Sequence, residues 1–169
     1  MANKVINTIL SRTSCRAYSD KPVPLSKIKS IVEAGKFAPS GMNRQICNIV
    51  VVRKKSLLNE IKETAIKMFN REPTYDAPML IIVYGPKDDP FTYLDGSCII
   101  ENMLIAATSL NLGSCWIHAI KDLVPSNAKL AKKLGIDDSH QVVGSVAVGY
   151  RQNDEIKVKP RKDDFVKII

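Results

Sequence analysis

The chain has 169 residues, 45% of them hydrophobic and 25% charged, with a formal net charge of +8. This is the balance of an ordinary globular protein: there is enough apolar material for one core, and no apolar run nears the roughly 20 residues that span a bilayer. The excess of cations means attraction to anions, but no block of five like charges or basic–aromatic interleaving marks a nucleic-acid binder.

Met1-Ala2-Asn3-Lys4 lacks the apolar stretch and cleavage site of a signal peptide. One cytoplasmic domain over residues 1–169 is the expectation. Val5, Ile6, Ile9 and Leu10 recur at helical spacing, and this first helix should stop near Ser11. Pro22-Val23-Pro24 forces extended backbone. Leu25, Ile28, Ile31 and Val32 then predict a second helix with Ser26 as its N-cap, broken by Pro39-Ser40-Gly41. Asn48 to Val52 is β-branched and reads as a buried strand. A third helix is expected over Ser56 to Phe69, and a second buried strand over Pro78 to Tyr84. The longest helix should run from Tyr93 to Leu112, with Gly113 as its C-terminal cap. It is apolar on most faces, which fits a central or subunit-interface helix. Cys115-Trp116-Ile117 reads as extended, Pro125 to Leu134 as a short helix closed by Gly135, and Val142 to Tyr150 as the last strand. Phe165, Val166, Ile168 and Ile169 end the chain and call for burial somewhere, such as a partner subunit.

Chemistry concentrates in three stretches. In Arg12-Thr13-Ser14-Cys15-Arg16 the two cations and one hydroxyl occupy alternate positions. An extended backbone sends all three to one side, and in a helix Arg12 and Arg16 still share a face. Paired guanidiniums around a hydroxyl suit a phosphate, although such a cluster also fits a solvated loop. In Pro39-Ser40-Gly41-Met42-Asn43-Arg44-Gln45, Asn43 and Gln45 offer two carboxamides on one side, suited to the edge of a heteroaromatic ring. The same residue types also make ordinary turns. Lys159-Pro160-Arg161, taken alone, is a basic tail.

The usual nucleotide and hydrolase motifs are absent: no G-x-G-x-x-G, no Walker-type loop, no G-x-S-x-G and no H-E-x-x-H. Cys15, Cys47, Cys98 and Cys115 are too scattered for a metal site and read as free thiols, and His118 and His140 do not supply zinc spacing.

Together the stretches resemble the FMN-dependent nitroreductase family. Arg12 to Tyr18, Pro22 to Pro24 and Ala38 to Gln45 are similar to its N-terminal signature. Leu112-Gly113-Ser114-Cys115-Trp116-Ile117 resembles its middle motif, and Val148-Gly149-Tyr150 with Lys159-Pro160-Arg161 its last. The resemblance implies an α+β fold with a mainly antiparallel central sheet flanked by helices, in an intertwined homodimer with FMN at the interface. It implies electron transfer from NAD(P)H to nitroaromatics, quinones or similar small acceptors, with no side-chain nucleophile.

By the same resemblance Arg12, Thr13, Ser14, Lys159 and Arg161 hold the phosphate and ribityl chain, and Arg16 lies near flavin N1 and O2. Pro39, Ser40, Met42, Asn43 and Gln45 come from the partner chain. Ile117, His118 and Ala119 pass beside N5, and Asn70 reaches the pyrimidine edge. His118 is open between a proton donor and a mere backbone contributor. Departures are Ile46-Cys47, where members often carry Pro-Trp, and the short chain, which implies an open site. Open alternatives are an FMN module without turnover and another chemistry on the same fold, such as reductive dehalogenation or flavin breakdown.

Overall fold

Four runs rich in β-branched residues build one antiparallel sheet. They are β1 (Asn48–Val52), β2 (Met79–Pro86), β3 (Gly113–Ile117) and β4 (His140–Gly149), in the order β1-β2-β4-β3. The structure is a computed structural model that describes residues 3–153, 157–162, 164 and 166–169. Every pairing of these strands is antiparallel, as the expected fold class requires. The helices are α1 (Lys4–Ser11), α2 (Leu25–Lys36), α3 (Lys55–Phe69), α4 (Thr92–Ser109), α5 (Ile120–Leu123) and α6 (Ala128–Leu134).

Strand β2 is apolar without alternation because both of its faces are covered. Met79, Ile81 and Val83 pack with Ile28 and Ile31 of α2 and with Ile100, Met103 and Leu104 of α4. Leu80 and Ile82 pack on the opposite side with Ile61 and Ala65 of α3, Leu123 of α5 and Leu130 of α6. Each such isoleucine or leucine, taken fully out of water, contributes about 1.5–3 kcal/mol. The result is a sheet between two helical layers, with β1 and β3 at its edges.

Several local expectations are corrected. Strand β1 is an edge strand, and only Val52 of it is buried. Ser26 does not cap α2; Pro24 takes that position, and its ring-fixed φ of −60° already leads into the helix. Gly113 does not cap α4 either. The left-handed residue is Asn111 (φ 56°), and Gly113 opens β3. The helix before Gly135 starts at Ala128, where the Asn127 side chain accepts from the Leu130 N–H, and Pro125 lies outside it. The four residues of α5 were not anticipated. All four cysteines are free, as expected.

Two apolar surfaces find no cover in the chain itself. Helix α1 buries none of its residues, and Val5, Ile6, Ile9 and Leu10 are exposed. Val166, Ile168 and Ile169 are exposed as well, so within this chain nothing buries the apolar end that was expected to find cover, such as on a partner subunit; Phe165 lies outside the described residues. Among the described residues no helix is long and apolar enough to cross a membrane.

Candidate functional site

The Arg12–Arg16 segment is extended and lies against the free edge of β3. Ser14 forms a parallel bridge with Ser114, and the Cys15 N–H donates to the Ser114 carbonyl at 2.8 Å. Gly113 makes this approach possible: a Cβ there would fall 2.6 Å from Cys15 Sγ. Cys15 turns inward and is buried, so the alternation sends Ser14 and Arg16 outward, where both are exposed. Tyr18 ties the end of the strip to the sheet, donating its hydroxyl to the Cys15 carbonyl at 2.9 Å and the Ala147 carbonyl at 3.3 Å. Burial pushes the Tyr18 phenol well above its ordinary range, so it stays a donor.

The same strip meets the far end of the chain. Ser19 N–H donates to the Tyr150 carbonyl at 2.9 Å, and Gln152 N–H to the Ala17 carbonyl at 3.1 Å. Arg151 Nη2 reaches Thr13 Oγ1 at 3.5 Å. This pairing carries the segment after β4 across the strip. Arg12, Thr13, Ser14 and Arg16 thereby share a cleft of about 200 Å³ with Lys157, Lys159 and Arg161. Among the described residues its lining holds five cations and two hydroxyls and no acid. Among the described residues a carboxylate stands beside it: Glu101 of α4 meets Arg12 Nε at 3.5 Å.

Arg16 lies with its guanidinium 5.9 Å from the centre of the Tyr75 ring. Its pKa is raised, first by a hydrogen bond with Tyr75, so it is a permanent cation. Burial pushes the Cys115 thiol up, while Arg16 and a hydrogen bond with Ser14 pull it down. That thiol therefore sits directly under the strip.

The second constellation is a turn of unusual backbone. Met42 (φ 54°), Asn43 (φ 55°) and Gln45 (φ 51°) all occupy the left-handed region, where each residue costs about 1–2 kcal/mol. Outliers of this kind gather at ligand contacts. Gln45 Nε2 donates to Asn43 Oδ1 at 3.0 Å, and Ser40 Oγ accepts from the Gln45 N–H at 3.2 Å. The two carboxamides do lie side by side. They face a separate cleft of about 500 Å³, lined among others by Pro39, Ser40, Asn43, Gln45, Cys47 and Asp95.

These two clefts share no lining residue. Ile117 ends β3, His118 is exposed, and its carbonyl accepts from the Lys121 N–H at 2.9 Å to begin α5 with Ala119. None of the three lines either cleft. Asn70 is the left-handed cap of α3 (φ 53°), and it too is absent from both linings.

Lys157, Tyr75 and Asp95 were not anticipated. Lys157 carried a signal, because Lys157, Lys159 and Arg161 alternate just as Arg12, Ser14 and Arg16 do. Tyr75 and Asp95 carried none, since each joins its site only through the fold.

Residues 9–150 match the model of the nitroreductase family. The chain belongs to the nitroreductase family. An Archaeoglobus fulgidus relative is 30% identical over 154 residues, 89% of this chain and 87% of its own. Vibrio harveyi NADPH-flavin oxidoreductase is 27% identical over 169 residues, 92% of this chain and 69% of its own. Among solved structures, a Bacteroides fragilis nitroreductase with bound FMN superposes with a TM-score of 0.91. It is 32% identical, and the match covers 99% of this chain and all of that one. The family match thus spans the whole sheet, the Arg12–Arg16 strip and the Ser40–Gln45 turn, and stops before Lys157.

Proposed function

We propose that this chain is an FMN-dependent NAD(P)H oxidoreductase, acting as one FMN-binding domain over residues 1–169. The observation that carries the reading is the cleft of five cations, whose described lining holds no acid. FMN's phosphate carries close to two negative charges, and guanidiniums with a hydroxyl between them match its oxygens. Its size also suits a phosphate rather than a whole ring system, since about 200 Å³ is too small for a drug-sized ligand. The FMN bound in the Bacteroides fragilis structure and the activity named for the Vibrio harveyi relative support the same assignment.

Arg12, Thr13, Ser14, Lys157, Lys159 and Arg161 hold the phosphate and ribityl chain, with Glu101 orienting Arg12. Arg16, permanently charged and steadied by Tyr75, stands at the pyrimidine side and favours the more negative, reduced form of the ring. FMN, when bound, supplies the electron and hydride transfer between NAD(P)H and a nitroaromatic, quinone or similar acceptor. The protein binds, orients and sets the local charge, so no nucleophile is needed. Ile117, His118 and Ala119 contribute backbone beside the ring, and Asn70 its amide edge.

We also propose a homodimer that places the Pro39–Gln45 carboxamides of one chain against the FMN of the other. Two observations support it. The cation cleft and the carboxamide cleft share no residue, and the uncovered faces of α1 and the C-terminal residues are apolar. An exposed apolar area of that extent marks an interaction surface.

Purified protein is expected to be yellow, and anaerobic NADH or NADPH is expected to bleach it. Colour without bleaching by either nucleotide would leave an FMN module without turnover. A colourless protein that FMN does not saturate would overturn the reading.

A further inference from the structure

We infer that Asp95 is the positioning residue that holds the Ser40–Gln45 turn in its ligand-facing shape. The inference rests on the reading that Ser40, Asn43 and Gln45 contact the flavin.

Asp95 lies in the first turn of α4 and is 5% exposed. Its Oδ1 accepts from the Gly41 N–H at 3.0 Å, where the chain enters the turn. A hydrogen bond to a buried carboxylate is among the stronger kinds, because the acceptor is charged and the surroundings are poor in water. Gly41 is pressed down from above. A Cβ there would fall 2.6 Å from the Phe91 ring, so only glycine can bring its N–H this close to α4.

The turn needs such an anchor. Within four residues, three non-glycine residues take the left-handed conformation, which an unsupported chain rarely adopts. Bonds inside the turn, Asn43 N–H to the Ser40 carbonyl and Arg44 N–H to the Gly41 carbonyl, close it but do not orient it. Three ties reach outward. Arg44 pairs with Asp89 at the surface, Cys47 Sγ donates weakly to the Thr92 carbonyl, and Asp95 holds Gly41. The Asp95 tie is the one that is both buried and charge-assisted.

Its second oxygen argues against a purely structural role. Asp95 Oδ2 is buried and has no side-chain or backbone partner among the described residues. A carboxylate buried only for stability would have both oxygens satisfied, because an unpaired one weakens the fold. Asp95 also lines the cleft into which Asn43 and Gln45 face. The fold therefore keeps a costly group where it both lines that cleft and holds the start of the turn.

The test compares Asp95→Ala, the volume-keeping Asp95→Leu and the conservative Asp95→Asn in full-length protein, beside Asn43→Ala and Gln45→Ala. FMN dissociation constants are measured by fluorescence quenching well below each melting temperature. Asp95→Ala and Asp95→Leu are expected to raise the constant tenfold or more. Asp95→Asn, whose side-chain oxygen can still accept from Gly41, is expected to stay within threefold of wild type. Rescue by asparagine separates positioning from mere loss of stability, which the melting temperature reports on its own. If Asn43→Ala and Gln45→Ala weaken FMN binding while Asp95→Ala and Asp95→Leu do not, the inference fails and the site reading stands. If neither carboxamide variant changes the constant, the reading on which the inference rests has failed and the inference falls with it.

Discussion

The cation cleft and the carboxamide turn are built by opposite means. In the cleft the backbone is relaxed and extended, and the side chains carry the information. Two strips, each with polar groups at every second residue, are stitched together by the pairing of residues 17–19 with 150–152. In the turn the side chains are ordinary and the backbone carries the information: three left-handed residues held by contacts from the start of α4 and the loop before it. A charge site tolerates small shifts, because Coulomb attraction varies slowly with distance. A turn that aims two amides does not, because hydrogen bonds weaken steeply with angle. The two regions should therefore fail differently when altered.

The largest expected effect is in the cleft. Arg12→Ala or Arg161→Ala should each weaken FMN binding by roughly 2 kcal/mol, about 30-fold, through loss of a charge-assisted contact. Titration of the apoprotein with FMN measures it. The melting temperature of the apoprotein should hardly move, since Arg161 is exposed and Arg12 only brushes Glu101.

Tyr18→Phe should do the reverse. It removes the hydroxyl that ties the strip to the sheet, at about 1 kcal/mol of stability seen in denaturant unfolding. FMN affinity should fall less than in either arginine variant.

Gln45→Gly sharpens the comparison most. Relieving a left-handed non-glycine residue should raise the stability of the apoprotein by a few tenths of a kcal/mol to about 1 kcal/mol. Removing the carboxamide should at the same time weaken FMN binding. Opposite signs in thermal melting and in titration would show strain retained for function; a loss in both would not.

How much of this was legible in the sequence follows the same division. The alternation of Arg12, Ser14 and Arg16 is local, so it could be read from five residues. The strands read well where apolar runs are long, as in β2. The edge position of β1 could not be read, because burial depends on which strand lies next to it. Ser26 and Gly113 were given capping roles on residue type alone. The fold instead uses Pro24 and Asn111 there, and reserves Gly113 for the approach of Cys15. Asp95 reads as an acid at a helix start, which is favourable anywhere on a surface. Only the packing of α4 on the turn reveals its partner.

The smallest effect separates the regions by pH. Burial, then the charges of Asp95 and Asp89, push the Cys47 thiol at the end of the turn up to about 11. A raised thiol favours the folded state fully below its ordinary value near 9, and that contribution fades as pH rises through about 11. The stability difference between wild type and Cys47→Ala should therefore be flat up to pH 9 and shrink above it. Arg12→Ala leaves Cys47 and its neighbours in place, so the change it causes should show no such trend.

The central claim is that the cation cleft, through Arg12, Lys157, Lys159 and Arg161, holds the phosphate of FMN. The most direct test compares FMN with riboflavin, which differs by that phosphate alone, on the same apoprotein. FMN should bind on the order of 100-fold more tightly, as expected for two or more charge-assisted contacts, and the gap should narrow in Arg12→Ala and Arg161→Ala. Equal affinity for the two ligands, or a gap that both variants leave intact, would contradict the account.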